Sequence, residues 1–265
     1  MNEAFAVNET LLELENVTLP RGGRPVLERF SLTLRRGEHT AILGPNGCGK
    51  STLIKLLTRE LYPLDRPETR LRILGRERWH VDDLRALLGI VTNDLLAMCT
   101  GWDSGLDVVL SGFFSSVCIE PYHEVTPAMY AKADALMAQL GIAHLAHRRV
   151  EEMSSGEAKR VLIGRALVHD PAILVLDEPS NSLDLAAMHD LRETMGMLAR
   201  SGITLVLVTH HLPDIIPEIE RVIFLRNGRI HRDGPKSEVL TEAGLAELFS
   251  RPVELLERDG YFNLW

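Results

Sequence analysis

Between residues 44 and 52 the chain reads Gly44-Pro45-Asn46-Gly47-Cys48-Gly49-Lys50-Ser51-Thr52, the G-x-x-x-x-G-K-[ST] pattern of a phosphate loop. Its glycines let the backbone curl until N–H groups point inward at phosphate oxygens. The start of the following helix adds positive potential. Lys50 supplies a cation for terminal phosphates, and Ser51 offers a hydroxyl to Mg²⁺. Further on, Ile173-Leu174-Val175-Leu176-Asp177-Glu178 is an apolar run ending in two carboxylates. Asp177 at its tip suits a divalent cation, and Glu178, facing the other way along an extended chain, suits polarising an attacking water. Apolar strands often end in acidic turns, so this pair takes its meaning from the phosphate loop. Met153-Ser154-Ser155-Gly156-Glu157 reads in two ways. Ser154 with Glu157 three residues later is a capping box, and an exposed helix N-terminus is also an anion site.

These residues need elements to hold them. Thr40–Leu43 is a short apolar run ending in Gly44, as in a buried strand entering a turn, and Ser51–Thr58 has the apolar spacing of a packed helix. Upstream, 12–19 and 26–34 read as strands joined through a hairpin-type loop, Arg21-Gly22-Gly23-Arg24-Pro25. From about residue 157 helices alternate with strands: helix 157–168, strand 173–176, helix 185–201, strand 203–208. That alternation indicates βαβ units and a mostly parallel sheet. Asn227-Gly228, between two short runs, signals a hairpin. From about 93 to 149 the chain carries helix signals (103–111 and 128–140) and few strand signals, so it reads as a helical insertion in an α/β core.

The 265 residues include 29 Lys+Arg against 37 Asp+Glu, a net charge of −8. An acidic chain argues against a nucleic-acid partner, and any anionic ligand must be held by local groups. Cys48, Cys99 and Cys118 have no metal-ligand spacing, and their odd number suits no disulfide framework; a reducing compartment fits them. The N-terminus lacks a basic n-region, and no apolar run approaches the roughly 18 residues of a membrane helix.

The three motifs, in this order, resemble the ATP-binding cassette (ABC) family, the nucleotide-hydrolysing subunits of ABC transporters, over about residues 10–250. The resemblance implies a phosphate-loop, RecA-like core with an antiparallel β subdomain, an inserted helical subdomain at 93–156, and a tail at 251–265. It implies that residues 44–52 hold ATP and that Mg²⁺ sits on Ser51 and Asp177. Glu178 becomes the general base or water-orienting carboxylate. His210 looks like the family's switch histidine, in contact with the γ-phosphate, and Asp184 looks like part of its D-loop. Ser154, Ser155, Gly156 and Glu157 form the signature that closes over the ATP of a second copy, in a head-to-tail homodimer working with separate permease chains. Such a subunit is cytoplasmic, peripheral on the inner face of the membrane.

Four places depart from the family pattern. Arg21 stands where an aromatic residue usually stacks on adenine; it reads either as a guanidinium plane that stacks on the base in its place or as a solvated loop arginine. Asn93, in Thr92-Asn93-Asp94, stands where a glutamine is usual and reaches toward Mg²⁺ through a shorter amide. Ser155 and Glu157 replace the usual Gly and Gln; with 108–114 (Val-Val-Leu-Ser-Gly-Phe-Phe) they are similar to molybdenum-transport or photorepair cassettes. That subgroup raises the alternative of a soluble, ATP-gated regulatory or repair-associated protein without a permease. Cys48 in the phosphate loop reads as a redox-sensitive position or a tolerated variant. Phe113, Phe114 and Tyr122 read as core packing or a partner groove.

Overall fold

The computed structural model describes residues 9–80, 84, 86–99 and 103–265. It opens with two twelve-residue strands, β1 (Thr10–Arg21) and β2 (Arg24–Arg35), joined by Gly22-Gly23 alone. Both glycines have positive φ, 59° and 78°, which a two-residue hairpin turn demands and side chains resist. The strands therefore run up to the turn and exceed the 12–19 and 26–34 expected from the sequence. Pro20 lies opposite Pro25, one position from the turn.

The chain continues through β3 (Thr40–Leu43), α1 (Lys50–Leu57), β4 (Arg70–Ile73) and β5 (Leu88–Val91). Next come α2 (Asn93–Met98), α3 (Gly105–Ser111) and α4 (Pro127–Gln139). Each of these three helices is capped by its own sequence. The Thr92 hydroxyl accepts from the Leu95 N–H, Ser104 and Asp107 form a capping box, and Thr126 caps a helix whose first residue is Pro127. Then follow α5 (Ser155–Leu167), β6 (Ile173–Asp177), α6 (Leu185–Arg200), β7 (Thr204–Thr209), β8 (Arg221–Arg226), β9 (Arg229–Pro235), α7 (Lys236–Val239) and α8 (Glu242–Phe249). The last residues form a hairpin, β10 (Leu255–Arg258) with β11 (Tyr261–Leu264), which the sequence presents only as an apolar ending. It folds back on the chain: Phe262 is buried, and the Tyr261 ring meets the Arg192 guanidinium.

Among the described residues the main sheet has the order β5-β6-β7-β3-β8-β9, parallel except for β9. A second sheet, β2-β1-β4, is antiparallel. The apolar runs of the main sheet obey the two-residue period of a strand covered on both faces. Leu174, Leu176, Leu205, Leu207 and Phe224 join a core with the helices α3 to α6. Their neighbours Ile173, Val175, Val206, Val208 and Ile223 join a second core with β1, β2 and α1. Each such side chain contributes about 1.5–3 kcal/mol by leaving water. The same burial fixes the register in which β3, β6 and β7 lie side by side. Their carboxyl ends therefore open on one edge of the sheet.

Candidate functional site

On that edge the loop leaving β3 curls before α1. Gly49 holds φ at 116° and Gly47 at 79°. A Cβ on Gly44 would lie 2.3 Å from the Leu225 carbonyl oxygen, so only glycine fits there. No side chain caps α1, which leaves its first-turn N–H groups open to an anion. Lys50, 5% exposed, donates from Nζ to the carbonyls of Gly44 (2.7 Å) and Pro45 (3.3 Å). The loop is anchored from outside as well: the Gly228 N–H donates to the Cys48 carbonyl (2.9 Å), and the Glu28 N–H donates to that of Gly228 (3.1 Å). Burial pushes the Cys48 thiol up, against the pull of Lys50.

β6 delivers Asp177 at its last position. Glu178 then turns away with φ at 46°, a left-handed conformation costly for a side chain. Its own N–H is held by the Val208 carbonyl at 2.7 Å. This turn swings the carboxylate toward the next strand. Glu178 Oε1 lies 2.9 Å from His210 Nδ1 and 3.6 Å from Lys50 Nζ. His210 follows β7, and its backbone is steadied by the neighbouring Thr209. The Thr209 hydroxyl donates to the buried Asp214 carboxylate and accepts the His211 N–H at 2.9 Å. Three adjacent strands thus lead into a carboxylate, a cation and an imidazole, with the carboxylate in contact with the other two.

Glu178 borders a cleft of about 800 Å³ whose lining also includes Asn46, Ser51, Asn93, Asp94 and Asp177. Burial, then the negative charges of Glu178 and Asp94, push Asp177 up to about 6, while Lys50 pulls it down.

The signature residues lie elsewhere. Ser154 caps α5, with its hydroxyl accepting the Glu157 N–H at 3.3 Å, while Glu157 accepts the Ser154 N–H at 2.8 Å. The Ser154 N–H and Arg148, 3.1 Å from Oε1, hold the Glu157 carboxyl below its usual range. A Cβ on Gly156 would stand 2.6 Å from that of Ala187, so glycine lets α5 and α6 meet. Ser154 and Ser155 face solvent, and no residue of 153–157 is part of the cleft lining. Ser154→Ala is expected to lower the unfolding free energy by about 1 kcal/mol, read in a urea melt; an unchanged midpoint would remove the capping role.

Asp184 caps α6 by accepting the Ala187 N–H at 2.8 Å. Arg21 ends β1, exposed at the hairpin tip opposite Arg24. Phe113 packs on the core and meets the His169 ring edge-on, Phe114 stacks on His123 at 4.1 Å, and Tyr122 is exposed. Among the described residues no group of three or more His, Cys, Asp or Glu has metal-site geometry. Sequence reasoning missed Asp94, Asp214 and the buried Lys159. The only available signal for Lys159 was a lysine on an apolar stretch of helix.

The sequence profile described as ABC transporter matches residues 27–181, more than half of the chain. The chain belongs to the ABC transporter family. The ABC chain is 32% identical over 251 residues to the uncharacterized ABC transporter ATP-binding protein YlmA of Bacillus subtilis, with 93% of each covered. It is 29% identical over 254 residues to the hemin import ATP-binding protein HmuV of Photobacterium damsela subsp. piscicida, covering 94% of this chain and 92% of that one. Its fold matches cbiO1 of Clostridium perfringens, part of the ABC transporter complex cbiONQ, with a TM-score of 0.76 and 26% identity over 90% of this chain and 94% of that one. This ABC chain is an ATP-binding and ATP-hydrolysing transporter subunit, of a class that acts as dimers with membrane permease components. The relatives are transport subunits, which disfavours the alternative without a permease. Among the described residues no helix of the ABC chain is long and apolar enough to cross a membrane.

Proposed function

We propose that Glu178 orients and polarises the water that attacks the γ-phosphorus of ATP, with ADP leaving as the β–γ bond breaks. The contact of Glu178 with both His210 and Lys50 carries this reading. The carboxylate lies where the water and the terminal phosphate would meet. Lys50 and the N–H groups of the loop 44–52 that face inward hold the phosphates, and His210 contacts the γ-phosphate. The oxygens of Ser51 and Asp177 are hard donors suited to Mg²⁺, and Asn93 lines the same cleft. These oxygen donors, grouped at the cleft, fit the ion. When bound, Mg²⁺ neutralises charge on the transferring phosphoryl group.

A second copy completes the site, and residues 154–157 of one chain close over the ATP of the other. The solvent-facing Ser154 and Ser155, and Leu185 beside Asp184 at 81% exposure, support a face that another chain covers. Permease chains dock on the cassette at the inner face of the membrane, so the subunit works in the cytoplasm. The finer likeness to molybdenum-transport or photorepair cassettes rests on the letters of 108–114 and 154–157. Relatives with a named cargo are hemin and phosphonates import subunits, so no single cargo follows. To test the assembly, a tagged Glu178→Gln chain is cross-linked with Mg-ATP in membranes of its own cell. Recovery of an untagged copy and an integral membrane protein is expected. Absence of the first sinks the dimer, and absence of the second sinks the permease.

Arg21 serves as the adenine contact. The Val26 carbonyl, near the start of β2, would lie 3.3 Å from a Cβ on Gly49, so the turn end of the hairpin touches the phosphate loop. Arg21→Ala is expected to raise the KM for ATP about 2- to 10-fold, with Arg21→Tyr restoring it. An unchanged KM in the alanine variant would assign Arg21 to solvent.

A further inference from the structure

Lys159 sits in α5 two residues past Glu157, is 6% exposed, and donates only to neutral oxygens. Its Nζ reaches the carbonyls of Pro179 and Asn181, both at 2.7 Å, and that of Glu178 at 3.5 Å. An ammonium has three N–H donors, and here all of them point at one four-residue stretch. That stretch is a tight construction. Glu178 and Ser182 both hold positive φ, 46° and 64°. The Asn181 N–H donates to the Glu178 carbonyl and the Leu183 N–H to that of Ser180, both at 3.1 Å. Asp184 then starts α6. Two consecutive turns therefore lead from the catalytic carboxylate to the next helix, and one buried cation gathers their carbonyls.

Burying a charged amine is costly unless every donor is used. Desolvation does push Lys159 down, with Asp214 and Glu178 pulling the other way. A methionine would fill the same space without that cost. The cation therefore gives the turn something packing alone does not: three directed bonds from a helix whose first turn is 154–157.

We propose that Lys159 is a positioning residue for hydrolysis, pinning turn 178–181 to the signature helix so that the Glu178 carboxylate keeps its place beside His210 and Lys50. This rests on the assignment of Glu178 as the water-orienting base. The bonds of Lys159 run to the turn and not to the phosphate loop, so its loss is expected to fall on hydrolysis more than on ATP binding. It also gives α5 a mechanical connection to the hydrolytic carboxylate: a shift of α5 moves the turn.

The test compares Lys159→Met, Lys159→Gln and Glu178→Gln in the full chain, reading kcat, KM and ATP binding by equilibrium titration. Lys159→Met is expected to lower kcat about 10- to 100-fold, the cost of a small misplacement of a reacting group, with ATP affinity held within about twofold. Lys159→Gln keeps two N–H donors and should recover part of the loss. It also serves as the folded variant if the methionine chain does not fold. Adding Lys159→Met to Glu178→Gln should cause no further loss, since both act on one group. Wild-type kcat in Lys159→Met, or a parallel loss of affinity and kcat, overturns the pin. A glutamine variant no better than the folded methionine one overturns it too. Full turnover by Glu178→Gln would instead remove the base assignment, so the two failures are told apart.

Discussion

Glu178→Gln is expected to bind ATP with near-native affinity while turnover falls by about 10²- to 10⁴-fold, the usual contribution of a positioned general base. The amide has the carboxylate's shape and retains an oxygen for the contact now made with His210 at 2.9 Å. What it loses is the charge that polarises water. The affinity should survive because the phosphates are held by Lys50 and the loop N–H groups, which the change does not touch. A chain that closes on ATP but cannot cleave it should accumulate as a dimer with Mg-ATP and return to monomer with Mg-ADP. Light scattering behind a sizing column reads both states. Turnover within about twofold of native would show that another group orients the water.

Lys50→Ala is expected to fail one step earlier. Its Nζ is buried, bonded to two loop carbonyls, and 3.6 Å from Glu178, so it organises the empty loop as well as meeting phosphate. A charge-assisted bond contributes about 1.5–3 kcal/mol, so ATP affinity should drop roughly 10- to 100-fold. Asp177, raised to about 6 mainly by burial, would also lose the cation that holds it down and rise further. At pH 7 more of the variant's Asp177 is then protonated, so raising the pH should recover part of the residual binding. Isothermal titration at two pH values measures both effects, and native affinity would remove Lys50 from the phosphate site.

Much of this was legible because it is local. The phosphate loop is nine consecutive residues, and Gly44 and Gly49 are dictated by backbone geometry that their own positions reveal. The capping box at Ser154 and Glu157 is equally short-ranged, and the structure shows both of its hydrogen bonds. The contact between Glu178 and His210 is of another kind. It depends on β6 and β7 being neighbours, with Asp177 opposite Val208, and no letter encodes that pairing; the resemblance gave each residue a role but not their contact. Lys159 was invisible because its partners are backbone carbonyls, which every residue carries. The hairpin strands were read short because Pro20 and Pro25 look like breakers until they are found facing each other. The closing hairpin went unseen because four-residue strands around Asp259-Gly260 give too few alternations to distinguish them from an apolar tail.

The order β6-β7-β3 in the main sheet has a consequence for how this site tolerates change over time. Hydrogen-bonded strands keep a spacing of about 4.8 Å, so the ends of β6 and β3 are roughly 10 Å apart with β7 midway. That interval comes from the peptide backbone and is the same whatever side chains clothe the strands. Leucine can drift to isoleucine or valine on either face without altering the gauge between base, histidine and lysine. A cassette at 26% identity can therefore share this fold after most of its letters have turned over. A mutation that displaced β7 from between its neighbours would change the gauge by a whole strand, and no side-chain substitution could restore it.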